Sequence, residues 1–228
     1  LTPAPPHIAV LLFTRSSAQE AQAKHFCHGH ARRKAIAAQL ISHTKKIVQQ
    51  SGLPLFIVDS ASQRGHTFGE RLEHAFAQAF AAGYEQVICL GNDTPGLTPA
   101  LLRSAASQLQ QKDFVFGRAT DGGVYLMGLS RQNMAQLDFR QISWNTSHVF
   151  AQLCVQTAPA KVSILAPILS DADDRAGILC ISRYSNLGKL KQVLQSLLQV
   201  VSSKLSYTFS PIPIAAVASE SLRAPPVL

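Results

Sequence analysis

The residues best placed to do chemistry are a few carboxylates between apolar segments. Asp93 follows an uninterrupted apolar run, and a carboxylate there can hold a divalent cation that bridges phosphate oxygens. Mg²⁺ favours that arrangement, taking one or two protein carboxylates together with phosphate and water. The run Asn92-Asp-Thr-Pro95 is also good turn chemistry, in which Asp93 would cap the next helix. Asp171 and Asp173 alternate across one residue, which in an extended segment puts both on one side, as a metal clamp needs. The other reading is an N-cap cluster, with Asp173 or Asp174 opening a helix. Asp121-Gly122-Gly123 is either a tight hairpin or a place where residues without Cβ let a ligand approach the backbone. Trp144, the only tryptophan, precedes a helix and serves either as core or lid packing or as a ring near a sugar or base. Cys27-His-Gly-His30 lacks the second ligand pair of a zinc site.

Elements of alternating type position these loops. Residues 7–13 read as a buried strand, and 17–50, rich in Ala, Gln and Lys, as a helix that Gly29 interrupts. A second strand spans 53–58, with Pro54 tolerable only at its start. Thr67 and Glu70 form a capping box, after which Leu72, Ala75, Phe76, Ala79 and Phe80 mark one helix face. A third strand spans 86–91, and Thr98 with Pro99 opens a helix to about residue 109. Strands at 113–117 and 124–129 are joined by a loop too short for a crossover helix, so they are not parallel neighbours. A helix at 146–156, a strand at 161–165 and a helical region from Asp171 follow. The pattern predicts a mostly parallel, helix-covered sheet with antiparallel strands late in the chain. Ligands bind such sheets beyond the carboxyl ends of the strands, where Arg15, Asp59, Asn92, Asp93, Asp121 and Asp171 fall.

With 228 residues, 46% hydrophobic and 15% charged, the chain suits one α/β domain and excludes a disordered one. No apolar run reaches the ~18 residues of a spanning helix, and Pro3, Pro5 and Pro6 stand where a signal peptide needs a basic region. Four cysteines without a CxxC pair read as reduced thiols of a cytoplasmic protein, with Cys89 as core packing. The net charge of +8 is concentrated in residues 1–50, where Glu20 is the sole acid, and it favours anionic partners such as nucleotides. Nucleic acid is disfavoured, because no aromatic residues for base stacking interleave the basic pairs. Residues 1–185 are expected to form the domain and 186–228 a helix and tail packed on it or on a partner. The Leu-rich face of residues 187–201 suits either a homodimer contact or docking on its own domain.

Taken together, Leu11-Leu-Phe-Thr-Arg15, Gly69-Glu-Arg-Leu72, Cys89-Leu-Gly-Asn-Asp-Thr-Pro95, Thr120-Asp-Gly-Gly-Val-Tyr-Leu-Met-Gly-Leu129, Trp144-Asn-Thr146 and Leu169-Ser-Asp-Ala-Asp173 resemble the DUF2064 family. That family is glycosyltransferase-like and belongs to the nucleotide-diphospho-sugar transferase (GT-A) superfamily. The resemblance covers residues 7–180 and implies a single-domain, Rossmann-like GT-A fold with helices on both faces. It implies Asp93, Asp171 and Asp173 as positions for Mg²⁺ or Mn²⁺, and Arg15 with Asp93 as the catalytic pair. It also implies a pocket for a nucleotide or nucleotide sugar involving Asn92, Asp121, Gly122, Gly123, Trp144 and Lys24. Metal-assisted nucleotidyl or glycosyl transfer at a diphosphate is the expected function. Where family members carry a Pro-Gly loop after the first strand and then Lys-Thr-Arg-Leu, this chain has an Ala- and Gln-rich stretch with Lys24 as a loose match. Such a helix does not cradle phosphate, so a catalytically degenerate binding module is the alternative.

Overall fold

Strand β1 (Ile8–Phe13) is apolar throughout because helices cover both faces of the sheet it joins. A computed structural model of the chain describes residues 7–158, 160–175, 177–178 and 188–199. In chain order β1 is followed by α1 (Ser17–Ala23), α2 (His30–Ser51), β2 (Leu55–Val58), α3 (Phe68–Ala81) and β3 (Gln86–Leu90). Then come α4 (Pro99–Leu109), β4 (Phe114–Arg118), β5 (Val124–Ser130), a 3₁₀ turn (Arg131–Gln136), α5 (Val149–Gln156), β6 (Val162–Ile164) and α6 (Gly188–Gln199).

The six strands form one sheet in the order β2-β1-β3-β5-β4-β6. β1 pairs parallel with β2 and β3, and β4 parallel with β6, while β5 runs antiparallel between β3 and β4. Alternate residues of each strand serve opposite faces. Leu11, Cys89, Phe116 and Met127 pack with Phe76 and Phe80 of α3 and Leu153 of α5. Val10, Ile88, Val115 and Leu126 pack on the other face with Val48 of α2 and Leu102 of α4. The expected α/β fold, a mostly parallel sheet between two helical layers, is present. Cys89 is buried there, and loss of water pushes its thiol above the ordinary range, which suits packing and not reactivity.

The chain leaves β1 toward β2 on one side and returns to β3 on the other. That reversal makes the edge beyond β1 and β3 a topological switch point. Because β5 is reversed, its amino end lies at this same edge, as the pairing of Leu90 with Leu126 shows. Beyond β6, Thr120 N donates to Leu169 O at 2.9 Å and Ala172 N to Asp93 O at 2.6 Å, carrying residues 169–173 to this edge as well.

The boundaries differ from the sequence pattern in three places. The helix expected over 17–50 breaks at Lys24, the extended C-cap of α1, ahead of Gly29. Phe26, fully buried, and a bridge between His25 and Asp174 anchor the intervening segment, so the break comes from tertiary packing. β2 begins after Pro54, whose carbonyl accepts from Val10 N. The helix expected from residue 146 begins at Val149, because residues 146–148 are taken up in turns, with Thr146 Oγ1 accepting from His148 N. The apolar face of α6, Leu190, Leu194 and Leu198, packs on Phe26, Ile36 and Leu40 of its own chain. The boundary expected at residue 185 and the tail beyond residue 206 lie outside the described residues. No helix among the described residues is long and apolar enough to cross a membrane.

Candidate functional site

A cavity of about 550 Å³ opens at the switch point. Arg15, beyond β1, and Asn92 and Asp93, beyond β3, line it, as do Lys24, Asp121, Gly123, Trp144, Asp171 and Asp173. Every predicted site residue except Gly122 is therefore brought to one place, and of the strand-end residues only Asp59 stays outside it.

Lys24 bridges two of the cavity's carboxylates. Its ammonium lies 2.7 Å from Asp93 Oδ2 and 2.7 Å from Asp173 Oδ1, with little of the side chain exposed. Burial pulls this lysine toward easier deprotonation, but the two carboxylates outweigh it and hold the lysine above its ordinary range. Asp93 does not cap a helix, because Thr98 fills that role for α4. Its side chain instead folds back over Gly91, where a Cβ would lie only 2.7 Å from Asp93 Oδ1.

Of the aspartates at 171–174, Asp174 takes the capping role. Asp174 Oδ1 accepts from Gly177 N at 2.7 Å, as an N-cap does. Asp171 and Asp173, on either side of the fully buried Ala172, both face the cavity. Asp171 accepts from the Thr94 hydroxyl at 2.5 Å. Burial, then the neighbouring Asp93 charge, pushes the Asp171 carboxyl above the usual carboxylate range.

Asp121 accepts from Gly123 N at 2.8 Å, closing a tight turn whose carboxylate stays exposed to the cavity. Gly122 has a left-handed φ of 89°, and its open side faces the Ser147 carbonyl, so the missing Cβ makes room for protein and not for ligand. Trp144 Nε1 donates to Phe139 O at 2.7 Å, and its ring tilts against Phe68 with centroids 5.2 Å apart. Trp144 is thus both packed and exposed to the cavity. Asp59 serves only its own loop, accepting from Ala61 N and Ser62 N.

Sequence reasoning missed Glu20. It projects from α1 into the cavity, is 5% exposed, and its Oε2 has no hydrogen-bond partner. Burial pushes its carboxyl upward, against the pull of Lys24. Its signal was present as the lone acid of a basic segment, four residues before Lys24, although that spacing usually marks a solvated helix face.

Two carboxylates converging on one cation are a hard-oxygen donor set that fits Mg²⁺ or Mn²⁺. With Lys24 between them, no three His, Cys, Asp or Glu side chains among the described residues are grouped to hold a metal.

A Desulfovibrio desulfuricans structure described as a "putative nucleotide-diphospho-sugar transferase" matches this chain with a TM-score of 0.74 at 21% identity, over 86% of this chain and 96% of its own. Rv0371c of Mycobacterium tuberculosis matches with a TM-score of 0.48 at 12% identity, over 77% of this chain and 98% of its own. A cytidylyltransferase from Leptospira borgpetersenii matches with a TM-score of 0.48 at 13% identity, over 87% and 94%. The first of these shows a shared fold. No curated protein matches the chain. The family model described as "Uncharacterized protein conserved in bacteria (DUF2064)" matches residues 12–146, more than half of the sequence, and the chain belongs to that family.

Proposed function

We propose that the cavity binds the diphosphate of a nucleotide or nucleotide sugar and that the protein is a nucleotidyl- or glycosyl-transferase. The observation that carries this reading is the gathering of Asp93, Asp171 and Asp173 with Arg15 and Lys24 at the sheet's switch point. Asp93 and Asp173, with Asp171 beside them, would hold Mg²⁺ or Mn²⁺. The metal would supply positive charge that offsets the charge growing on the leaving group.

Arg15 is exposed at the end of β1, and its fixed positive charge opposes negative charge developing on a phosphate. Asp121 and Asn92 offer oxygen acceptors for sugar hydroxyls. The Trp144 and Phe68 rings, tilted against each other, form an apolar wall against which a base or sugar ring can pack. Water is displaced from this wall when a ring covers it, which strengthens the charge interactions deeper in the cavity.

A second reading has one specific observation behind it. The Lys24 ammonium is paired with two of the carboxylates, and α1 stands where a glycine-rich loop would cradle phosphate. A binding module without turnover would look like this.

Calorimetric titration with nucleoside triphosphates and UDP- and GDP-sugars, with and without Mn²⁺, separates the two. The transferase reading expects a metal-dependent affinity for one nucleotide that Asp93→Ala abolishes. Flat titrations by folded protein overturn nucleotide binding, and metal-independent binding without turnover favours the module.

A further inference from the structure

We propose that Lys24 is the site's built-in counter-cation: its ammonium holds the position between Asp93 and Asp173, and a divalent cation enters only by displacing it. This deepens the metal role in the reading above and rests on it. Both lysine–carboxylate distances are 2.7 Å, so the ammonium touches both acids that would bind the metal, and a cation coordinated by both cannot coexist with it.

Glu20 is a second, independent sign that the site is built for more positive charge than it holds. Its carboxylate is buried against the same cavity, four residues before Lys24, with one oxygen unpartnered. A buried acceptor left unsatisfied is costly unless a ligand completes it. Lys24 is also placed to leave. It stands at the end of α1, where the chain turns extended, and its backbone is held by the bond from Lys24 N to Glu20 O, not by its ammonium. The side chain can therefore swing out while the backbone stays.

The consequence is a coupling between metal entry and anion binding. A site whose competent state is only partly populated binds its ligand more weakly by that fraction. Removing Lys24 lifts this penalty for metal. In the native protein, metal entry frees an ammonium in the cavity that Arg15 also lines, so metal and diphosphate favour each other's binding.

The test uses Mn²⁺ alone, without nucleotide, on the full chain. Lys24→Met is expected to bind Mn²⁺ about tenfold or more tighter than the native protein, as loss of a competing occupant requires. Adding Asp173→Asn should remove that gain and so locate the ion. In the native protein, Mn²⁺ should raise the rate at which an amine-acylating reagent labels Lys24, while Lys45 and Lys46, exposed on α2, stay constant. This second measurement needs no variant to fold. Equal Mn²⁺ affinity in both proteins, or Mn²⁺ binding with unchanged Lys24 labelling, overturns the proposal and leaves the transferase reading intact. Tighter binding by Lys24→Met, with a flat nucleotide panel, supports the proposal and overturns the transferase reading. No Mn²⁺ binding by either protein overturns both the proposal and the metal role.

Discussion

Gly69 and Trp144 are interlocked. The indole N–H donates to the Phe139 carbonyl at 2.7 Å, and that carbonyl and the indole nitrogen both crowd the position a Cβ on Gly69 would take. The first turn of α3 therefore carries a glycine so that residues 139–144 can close over the cavity wall.

Gly69→Ala tests this contact. Alanine alone would favour the helix by about 1 kcal/mol, yet the clash with the Phe139 carbonyl is expected to outweigh it and leave the protein about 2 kcal/mol less stable. The denaturation midpoint measures the loss, and Trp144, the only tryptophan, reports its displacement through a changed emission maximum. Unchanged stability and emission would show that the loop does not need this approach.

The glycine pair of the turn gives a matched comparison. Gly122→Ala meets both a left-handed φ and the Ser147 carbonyl and should cost about 2 kcal/mol or more. At Gly123 a Cβ would meet only the Asp121 side chain, 3.1 Å away, and Gly123→Ala should cost under about 1 kcal/mol. Equal losses in chemical denaturation would remove the distinction between a structural Gly122 and a cavity-lining Gly123.

Glu20→Gln should stabilise the ligand-free protein. Desolvation outweighs the attraction of Lys24 at this carboxylate, and one oxygen has no partner. Removing the buried charge is expected to add about 1 kcal/mol, read as a rise in Tm. A lower Tm would mean that the pairing of Glu20 with Lys24 dominates after all.

His43 gives a pH signature away from the carboxylates. Its Nε2–H donates to the Pro95 carbonyl at 3.2 Å, and burial holds the ring below the ordinary histidine range of 6.5, with Lys46 acting in the same sense. The unfolded chain takes up a proton there before the folded one does, so the contribution of His43 falls as pH drops below 6.5. Between about pH 7.5 and about pH 5 the native protein should lose more stability than His43→Gln, which keeps a donor but does not titrate. Parallel profiles for the two proteins would refute this.

Much of this architecture is legible in local patterns. The capping box of Thr67 and Glu70, the Thr98-Pro99 helix start and the apolar strand at residue 86 appear where spacing placed them. Caps and alternation act over a few residues, so sequence alone carries them. The short loop after β4 also excluded a parallel neighbour, and β5 is antiparallel there.

Fold class and the loops in which the chemistry must lie are readable from the amino-acid order, because both follow from short-range periodicity and connection length. The tertiary structure alone decided which loop residues meet. In the sequence Lys24 is a loose match to a family lysine and Glu20 only the lone acid of a basic segment, yet Asp93 and Asp173, distant in the chain, hold the lysine inward, and the fold buries the glutamate against the same cavity. At Gly122 the sequence leaves a tight turn and a ligand approach both open, and the Ser147 carbonyl decides for packing. Such contacts join residues far apart in the chain, and ion pairing and close packing between them depend on where the sheet brings the loop ends together.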